Sequence, residues 1–562
     1  MADPNTAFFS LLLLLPLSLL LILYFIVRPR PAKIPIKNRH VFITGGSSGI
    51  GLALARRVAS EGARVSILAR DHAKLQAAKQ DIQLATGADV AIFSADVRDF
   101  AAVKMAVEAT GPIDVLVCNQ GVFLPQELEN QPLDEVKFMI DVNLMGTFHL
   151  IKAALPLMKI DRQARGPASI AIISSQAGQI CSMIFCENKR RPELTTIIAG
   201  SSGVMKADEV AKKAIDGIRS GRFIVPCNFE GLLLSIATAG LGPQRSYLMA
   251  FVEVLAAGII RLAGLFFQWT WYGSIEKWHA QNFSLSPPPP TLFPRYLYFI
   301  VRPRPVQIPI KDRHVFISGG SCGTGLAIAR RAASEGARVS ILARDHGKLK
   351  AAKQEIRAAT GASVAVFSAD VRDFPALKKA VEAAGPIDVL VCNHEAFMAG
   401  EMEKQSPENV QLMIDIGIYG YTGYSATKFG LRGLAEALQQ EVITDNIHVS
   451  LIFPPDTQTP GFEEENKRRL ELTKIIANSS TMMKSEEVAK KTMDGIRKGS
   501  FHIRCNFKGL ILSTSTAGFS PQRSFLMAFV EILVAGIARL IGLFHLWTFY
   551  RSIEKRHCQT LE

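Results

Sequence analysis

One block of sequence occurs twice in this chain, and that recurrence limits the fold more than any other feature. His40-Val41-Phe42-Ile43-Thr44-Gly45-Gly46-Ser47 returns as His314-Val315-Phe316-Ile317-Ser318-Gly319-Gly320-Ser321. Tyr24-Phe25-Ile26-Val27-Arg28-Pro29-Arg30 returns as Tyr298-Phe299-Ile300-Val301-Arg302-Pro303-Arg304. The offset of 274 holds until Asp141-Val142-Asn143 faces Asp415-Ile416-Gly417. The copies realign at Glu187-Asn188-Lys189-Arg190-Arg191 against Glu465-Asn466-Lys467-Arg468-Arg469, now 278 apart. Between those points the first copy holds Ile170-Ala171-Ile172-Ile173-Ser174-Ser175, and the second holds Tyr424-Ser425-Ala426-Thr427-Lys428 instead. Neither copy has both. So long a period means duplicated domains, because solenoid repeats run to about 20–50 residues.

A length of 562 residues alone suggests several domains of roughly 150 residues. The duplication replaces that expectation with two units, each long enough for a full α/β core. The boundaries read as an anchor at 7–27, a first copy at 38–281, a linker at 282–310 and a second copy at 311–562. Pro287-Pro288-Pro289-Pro290 marks the linker. The net charge is +14, but Lys and Arg are scattered without interleaved aromatics. No nucleic-acid partner is therefore expected; a membrane surface and a phosphorylated cofactor fit the charge better. The eight cysteines show no C-x-x-C pair or other metal spacing. They read as reduced structural thiols facing a cytosolic environment, with no metal site.

Ala7–Val27 runs 21 residues without a charge, enough to cross a hydrocarbon core of about 30 Å. A signal peptide would want a basic start, whereas the early charge here is Asp3. Arg28, Arg30 and Lys33 follow the segment, which places the amino terminus in the lumen and the domains in the cytosol. Each copy also ends in an apolar stretch, Tyr247–Tyr272 and Phe525–Tyr550. Glu253 and Arg261 interrupt one, Glu531 and Arg539 the other. Those charges disfavour simple spans and suit interfacial or re-entrant helices; ordinary core helices are the competing reading.

Val41-Phe42-Ile43 reads as a buried strand and Leu52–Ala59 as a helix. Between them lies Thr44-Gly45-Gly46-Ser47-Ser48-Gly49-Ile50-Gly51. Glycines let backbone approach a pyrophosphate, and the helix amino terminus offers N–H groups and positive dipole. The second copy repeats the turn with Gly319, Gly323 and Gly325. The next strand, Arg64–Ala69, ends at Arg70, repeated as Arg344, with Lys74 just beyond. An acidic residue there would bind ribose hydroxyls, whereas arginine can hold a 2′-phosphate. Arg70 and Ser47 thus favour NADPH over NADH. Asp96 (repeated as Asp370) and Asn119-Gln120-Gly121 follow two further strands, at the carboxyl ends where ligands collect.

These glycines, with Asp96, Asn119, Gly121, Asn143 and the Ser174-Ser175 strand end, resemble the short-chain dehydrogenase/reductase family. The fold that follows is a doubly wound parallel Rossmann-type α/β sheet, duplicated and incomplete in each copy, with an N-terminal transmembrane helix and apolar C-terminal helices. The anchor, Ser174–Gln179, Tyr424–Leu431 and the apolar tail narrow the resemblance to family members that reduce 3-ketosphinganine. It implies NADPH-dependent reduction of a long-chain ketone lipid in sphingolipid synthesis, at the endoplasmic reticulum membrane and facing the cytosol. Oligomeric state stays open.

Ketone reduction needs hydride at carbon and a proton at oxygen. Tyr424 and Lys428 stand four apart on one helix face, and an ammonium beside a phenol lowers a pKa normally near 10. Tyr424 is then the proton donor and Lys428 its partner. The resemblance adds Ser175 (or Ser174) to hold the carbonyl oxygen and Asn143 to support the lysine through water. It also implies that Pro454 and Thr457, in Pro454-Pro455-Asp456-Thr457-Gln458-Thr459-Pro460-Gly461, line the nicotinamide end of the cofactor. The second copy departs from the pattern at Thr324 and Glu395 and lacks the serine strand.

Residues 1–180 read directly into 417–562 would set Ser175 and Tyr424 13 positions apart, the family spacing. That reading expects one sheet, five strands from the first copy and the next from the second, with 181–416 as an insertion. Loop closure costs entropy only logarithmically, but the second copy's nearer half competes for the same helix. The alternatives are a non-catalytic NADPH-binding membrane protein, fused tandem copies, or a reductase of another lipid ketone.

Overall fold

The computed structural model describes residues 17–25, 34–124, 129–174, 205–220, 222–239, 244, 246–283, 308–394, 422–441, 448–460, 462–463, 482–517 and 525–559. Five strands open the first copy: β1 (His40–Thr44), β2 (Arg64–Ala69), β3 (Val90–Ser94), β4 (Val115–Cys118) and β5 (Ser169–Ile172). They pair in the order β3-β2-β1-β4-β5, every pairing parallel. β1 and β4 are buried along their whole length, as strands covered by helices on both faces must be. The second copy repeats four of the five: β6 (His314–Ser318), β7 (Arg338–Ala343), β8 (Ala365–Ser368) and β9 (Val389–Cys392), in the order β8-β7-β6-β9. Register repeats too, His40 opposite Arg64 and His314 opposite Arg338. This is a parallel Rossmann-like α/β architecture.

Helix α1 (Gly49–Ser60) follows β1, and α2 (His72–Thr86) follows β2, capped by Asp71 at its start and by left-handed Gly87 at its end. Ala53, Leu54 and Val58 of α1 join Val41, Ile43, Val65 and Ile67 in one core. On the other face Phe42, Leu116 and Cys118 pack against Leu150, Ala154 and Met158 of α3 (Gly146–Lys159). Leu133–Lys159 has the hydropathy of a membrane span, yet its apolar face is spent on this core.

The strand after the tyrosine segment decides between the two readings of the sheet. α4 (Thr422–Glu441) carries the backbone of Tyr424 and Lys428, and β10 (Leu451–Phe453) pairs in parallel with β13 (His502–Arg504). Two short strands, β11 (Thr457–Gln458) and β12 (Met483–Lys484), pair between them. Ile452 packs with Ile317, Val391, Met493 and Ile503, which is the second copy's core. Among the described residues β5 pairs with β4 alone, so the single spliced sheet expected above is not formed. The nearer half has captured the strand, as the cost of long-range pairing predicts. Among the described residues no further strand pairs with β5 or β9; Ile172 is 56 % exposed on β5 and Leu390 60 % on β9.

Loss of a strand has a second effect. Phe501, beside β13, is 2 % exposed, whereas its counterpart Phe223 is 58 % exposed in a stretch, 222–228, that is not a strand. The first copy has no counterpart of β10 for that stretch to pair with, and an unpaired strand leaves its backbone groups unsatisfied. The helix that follows the missing region survives in both copies. α5 (Ala207–Arg219) packs on α1, and α6 (Ser485–Arg497) packs on α7 (Gly323–Ser334). The tails are single long helices, α8 (Tyr247–Phe283) and α9 (Phe525–Gln559), packed on each other. Leu23, on the helix spanning residues 17–25, is buried against Ala250 and Leu543.

Candidate dinucleotide and reduction site

Parallel strands place every carboxyl end at one edge of the sheet, and the sequence-predicted residues of the first copy gather there. Gly45 and Gly49 adopt positive φ, +61° and +54°, which turns the chain from β1 into α1. A Cβ at Gly51 would sit 2.2 Å from the Gly45 oxygen and 2.6 Å from Asn119 Nδ2, whereas a Cβ at Gly49 would meet nothing within 4 Å. The turn is thus closed behind and open in front. Ser48 precedes α1 in extended conformation without a side-chain cap, so the helix's first N–H groups keep their capacity for an anion. Ser47 and Ile50 flank this mouth. The residues present fit a dinucleotide pyrophosphate.

Around the turn, Asn119 donates from its backbone N–H to Thr44 Oγ1 at 3.0 Å. Thr44 Oγ1 donates to Gln120 Oε1 at 2.6 Å, and Gln120 Nε2 donates to Thr147 Oγ1 at 2.7 Å. Thr147 in turn donates to the Asn143 carbonyl oxygen at 2.8 Å. Asn143 lies in the π-helical turn Ile140–Met145, and its side chain clasps Val122 by both backbone groups, at 2.7 and 2.8 Å. That clasp fixes the loop carrying Gly121. Thr44 and Thr147 were not singled out from the sequence, since lone threonines carry no motif.

Arg70 follows β2 and accepts Ser94 Oγ on its carbonyl, leaving the side chain at the sheet edge. Lys74 lies in the first turn of α2, its ammonium 3.9 Å from Asp71. Asp96 hydrogen-bonds Arg98 through both carboxylate oxygens, and that guanidinium holds its carboxyl below the usual carboxylate range. Ser174 lies just past β5, exposed at the same edge; Ser175 is outside the described residues.

The second copy reproduces the turn. Gly319 and Gly323 have φ of +66° and +54°, and a Cβ at Gly325 would again lie 2.2 Å from a glycine oxygen, here Gly319. Arg344 accepts Ser368 Oγ as Arg70 accepts Ser94, and Asp370 is bound by Arg372, which drives its carboxyl well down. His394 replaces Gln120, with its Nδ1 2.7 Å from Ser318 Oγ; Glu395 is outside the described residues. Gly323 differs from Gly49 in having Thr459 against it, at 3.1 Å from an added Cβ. The loop after β10 therefore reaches its own copy's glycine turn. Thr457 is buried, and its hydroxyl donates to the Pro455 oxygen at 2.7 Å; Pro454 begins the loop. Thr459, two residues on, is the threonine that meets the turn.

The site is thus divided. α4 is tied to the rest of the second copy by Arg432, which reaches the Thr516 oxygen, and by Gln439, whose side-chain oxygen accepts the Val449 N–H at 2.9 Å. The Tyr424 and Lys428 side chains are outside the described set. Both sheets carry the dinucleotide turn, while serine end and tyrosine helix belong to different sheets.

A model of the short-chain dehydrogenase family matches residues 39–186, 313–422 and 415–470. The chain belongs to the short-chain dehydrogenase/reductase family. As a family member it is an oxidoreductase. It is 55 % identical over 321 residues to 3-dehydrosphinganine reductase TSC10B of Arabidopsis thaliana, covering 49 % of this chain and 97 % of that one. It is 57 % identical over 293 residues to TSC10A of the same plant, covering 46 % and 90 %. A 3-dehydrosphinganine reductase of Danio rerio is 34 % identical over 299 residues, covering 46 % and 89 %. Each relative is matched nearly whole by less than half of this chain, which is consistent with two family copies in one chain.

Proposed function

We propose that this chain reduces the 3-keto group of 3-ketosphinganine (3-dehydrosphinganine) to the alcohol, using NADPH, at the cytosolic face of the endoplasmic reticulum membrane. The observation that carries this reading is the 55–57 % identity to two 3-dehydrosphinganine reductases across 90–97 % of their length. The apolar tails and the uncharged amino-terminal segment suit a lipid substrate delivered from a bilayer.

NADPH, when bound, supplies the hydride. Gly45–Gly51 and its repeat Gly319–Gly325 would hold the pyrophosphate, and Arg70, repeated as Arg344, would pair with the 2′-phosphate. Tyr424 gives its phenolic proton to the carbonyl oxygen as charge develops there, and Lys428 lowers the phenol's pKa toward working pH. Ser175, or Ser174 beside it in sequence, is the group proposed to hold the carbonyl oxygen. Asn143 acts through the Val122 loop that it clasps. Serine and tyrosine come from different copies in the sequence, so the proposed reaction draws on both copies of one chain.

Turnover of 3-ketosphinganine by the purified full-length chain, followed by NADPH consumption and sphinganine formation, tests this directly. Tyr424→Phe is expected to lower kcat by roughly 10²-fold or more while NADPH still binds. Ser175→Ala is expected to lower kcat less steeply. A wild-type chain that binds NADPH without reducing the lipid would reject the proposal.

A further inference from the structure

The charges that interrupt the two tails are not exposed; they answer one another. Arg261 Nη2 lies 2.7 Å from Glu531 Oε2, and Arg539 Nη2 lies 2.7 Å from Glu253 Oε2. In both pairs the arginine Nε reaches the same oxygen, at 3.1 and 3.0 Å. All four side chains are buried. Under the duplication Glu253 corresponds to Glu531 and Arg261 to Arg539, so the two bonds are one bond made twice with the copies exchanged.

The backbone repeats the exchange. A Cβ at Gly258 would fall 2.3 Å from the Ile532 oxygen, and one at Gly536 would fall 2.2 Å from the Val254 oxygen. Gly258 corresponds to Gly536, and Val254 to Ile532. Glycine at the crossing lets two helices approach closely, and Glu253 meeting Arg539 while Arg261 meets Glu531 makes them antiparallel. Such self-complementarity is the signature of an isologous interface, usually made between two identical chains.

We propose that α8 and α9 form an intramolecular two-fold clamp that locks the first copy to the second, as a homodimer interface would lock two molecules. Register is set by the crossed ion pairs, because a slipped pairing would break two buried arginine–glutamate bonds at once. Glu531 extends the clamp into the second copy's core: its other oxygen accepts Arg504 Nη2 at 2.8 Å, from β13. Pro226 stands at the corresponding place in the first copy and cannot make that bond. In the first copy the other oxygen of Glu253 instead accepts Gln244 Nε2 at 2.6 Å, so each half of the clamp is tied to its own copy by a different donor.

The test is a protease site placed within residues 284–307 of the full-length chain, purified in mild detergent, cut, and run on gel filtration. The two fragments are expected to co-elute. Glu253→Arg alone is expected to separate them, and Glu253→Arg combined with Arg539→Glu to restore co-elution, which a merely misfolded variant could not do. Gly258→Leu, with both ion pairs intact, is expected to separate them as well. Wild-type fragments that part on cutting would overturn the clamp. So would a Glu253→Arg chain that stays together, or a double exchange no better than the single one.

Discussion

The carbonyl oxygen of Gly45 occupies the place where residue 51 would carry its Cβ, 2.2 Å away. Gly51→Ala must push the turn open, at about 1–3 kcal/mol for such overpacking, and is expected to weaken NADPH binding at the first copy at least tenfold. Gly325→Ala should act alike at the second copy, where the distance to Gly319 is the same. Gly49→Ala has free space and pays only for its left-handed backbone, about 1–2 kcal/mol. Cofactor titration of the three variants checks the order; equal loss in all three would refute a sterically closed turn.

Arg70→Asp is expected to reverse cofactor preference at the first copy. It removes the cation offered to a 2′-phosphate and supplies a carboxylate for ribose hydroxyls. NADPH affinity should fall by roughly 10–100-fold, about 1.4–2.8 kcal/mol, while NADH affinity rises. Arg344→Asp makes the same test at the second copy. A wild-type chain that binds NADH and NADPH equally would contradict the proposed specificity.

Stability should fall in mild acid through His40. Burial against the end of β1 lowers its pKa to about 4, more than the hydrogen bond to the Pro112 oxygen raises it. Its ring also lies 2.8 Å from Ser66 Oγ. The unfolded chain, with histidine near 6.5, takes up the proton first, so stability is full above about pH 6.5 and drains away toward pH 4. The loss is at most about 3 kcal/mol. Thermal unfolding in detergent at pH 7 and pH 5 should show a smaller difference for His40→Gln than for wild type. An unchanged difference would remove His40 as the cause.

Antiparallel pairing also bears on topology, since α8 and α9 cannot both cross a bilayer in the same sense. With both copies proposed to face the cytosol, the pair is expected to lie along the membrane, its exposed Leu255, Ile259, Leu533 and Ile537 toward acyl chains. Protease added to sealed microsomes is expected to digest residues 40–174 and 308–394 alike. Protection of either stretch would exclude this arrangement.

Much of the fold was legible before any coordinates. Val41-Phe42-Ile43, the glycines after it and the apolar face of α1 impose strand, turn and helix locally, and the duplication predicts that the second copy does the same. Asn119, Arg70 and Asp96 could be placed at the ligand edge because a parallel sheet puts all its carboxyl ends there. Thr44, Thr147 and Thr459 could not, because their roles depend on which backbone groups come near them.

Partnership is what the sequence by itself left undecided. It established two family copies, each short of a different segment, and it allowed β10 to complete either sheet; tertiary packing joined β10 to β13 and to the core around Ile317 and Val391. Phe223 and Phe501 carry the same ring in matching stretches, yet one is exposed and the other buried, because only the second has a strand to pair beside. Glu253, Arg261, Glu531 and Arg539 read from sequence as flaws in apolar helices. In the fold they are two buried ion pairs, since the energy of a charge is set by the group facing it, and that group lies some 270 residues away (|i−j| = 270 for Arg261 and Glu531).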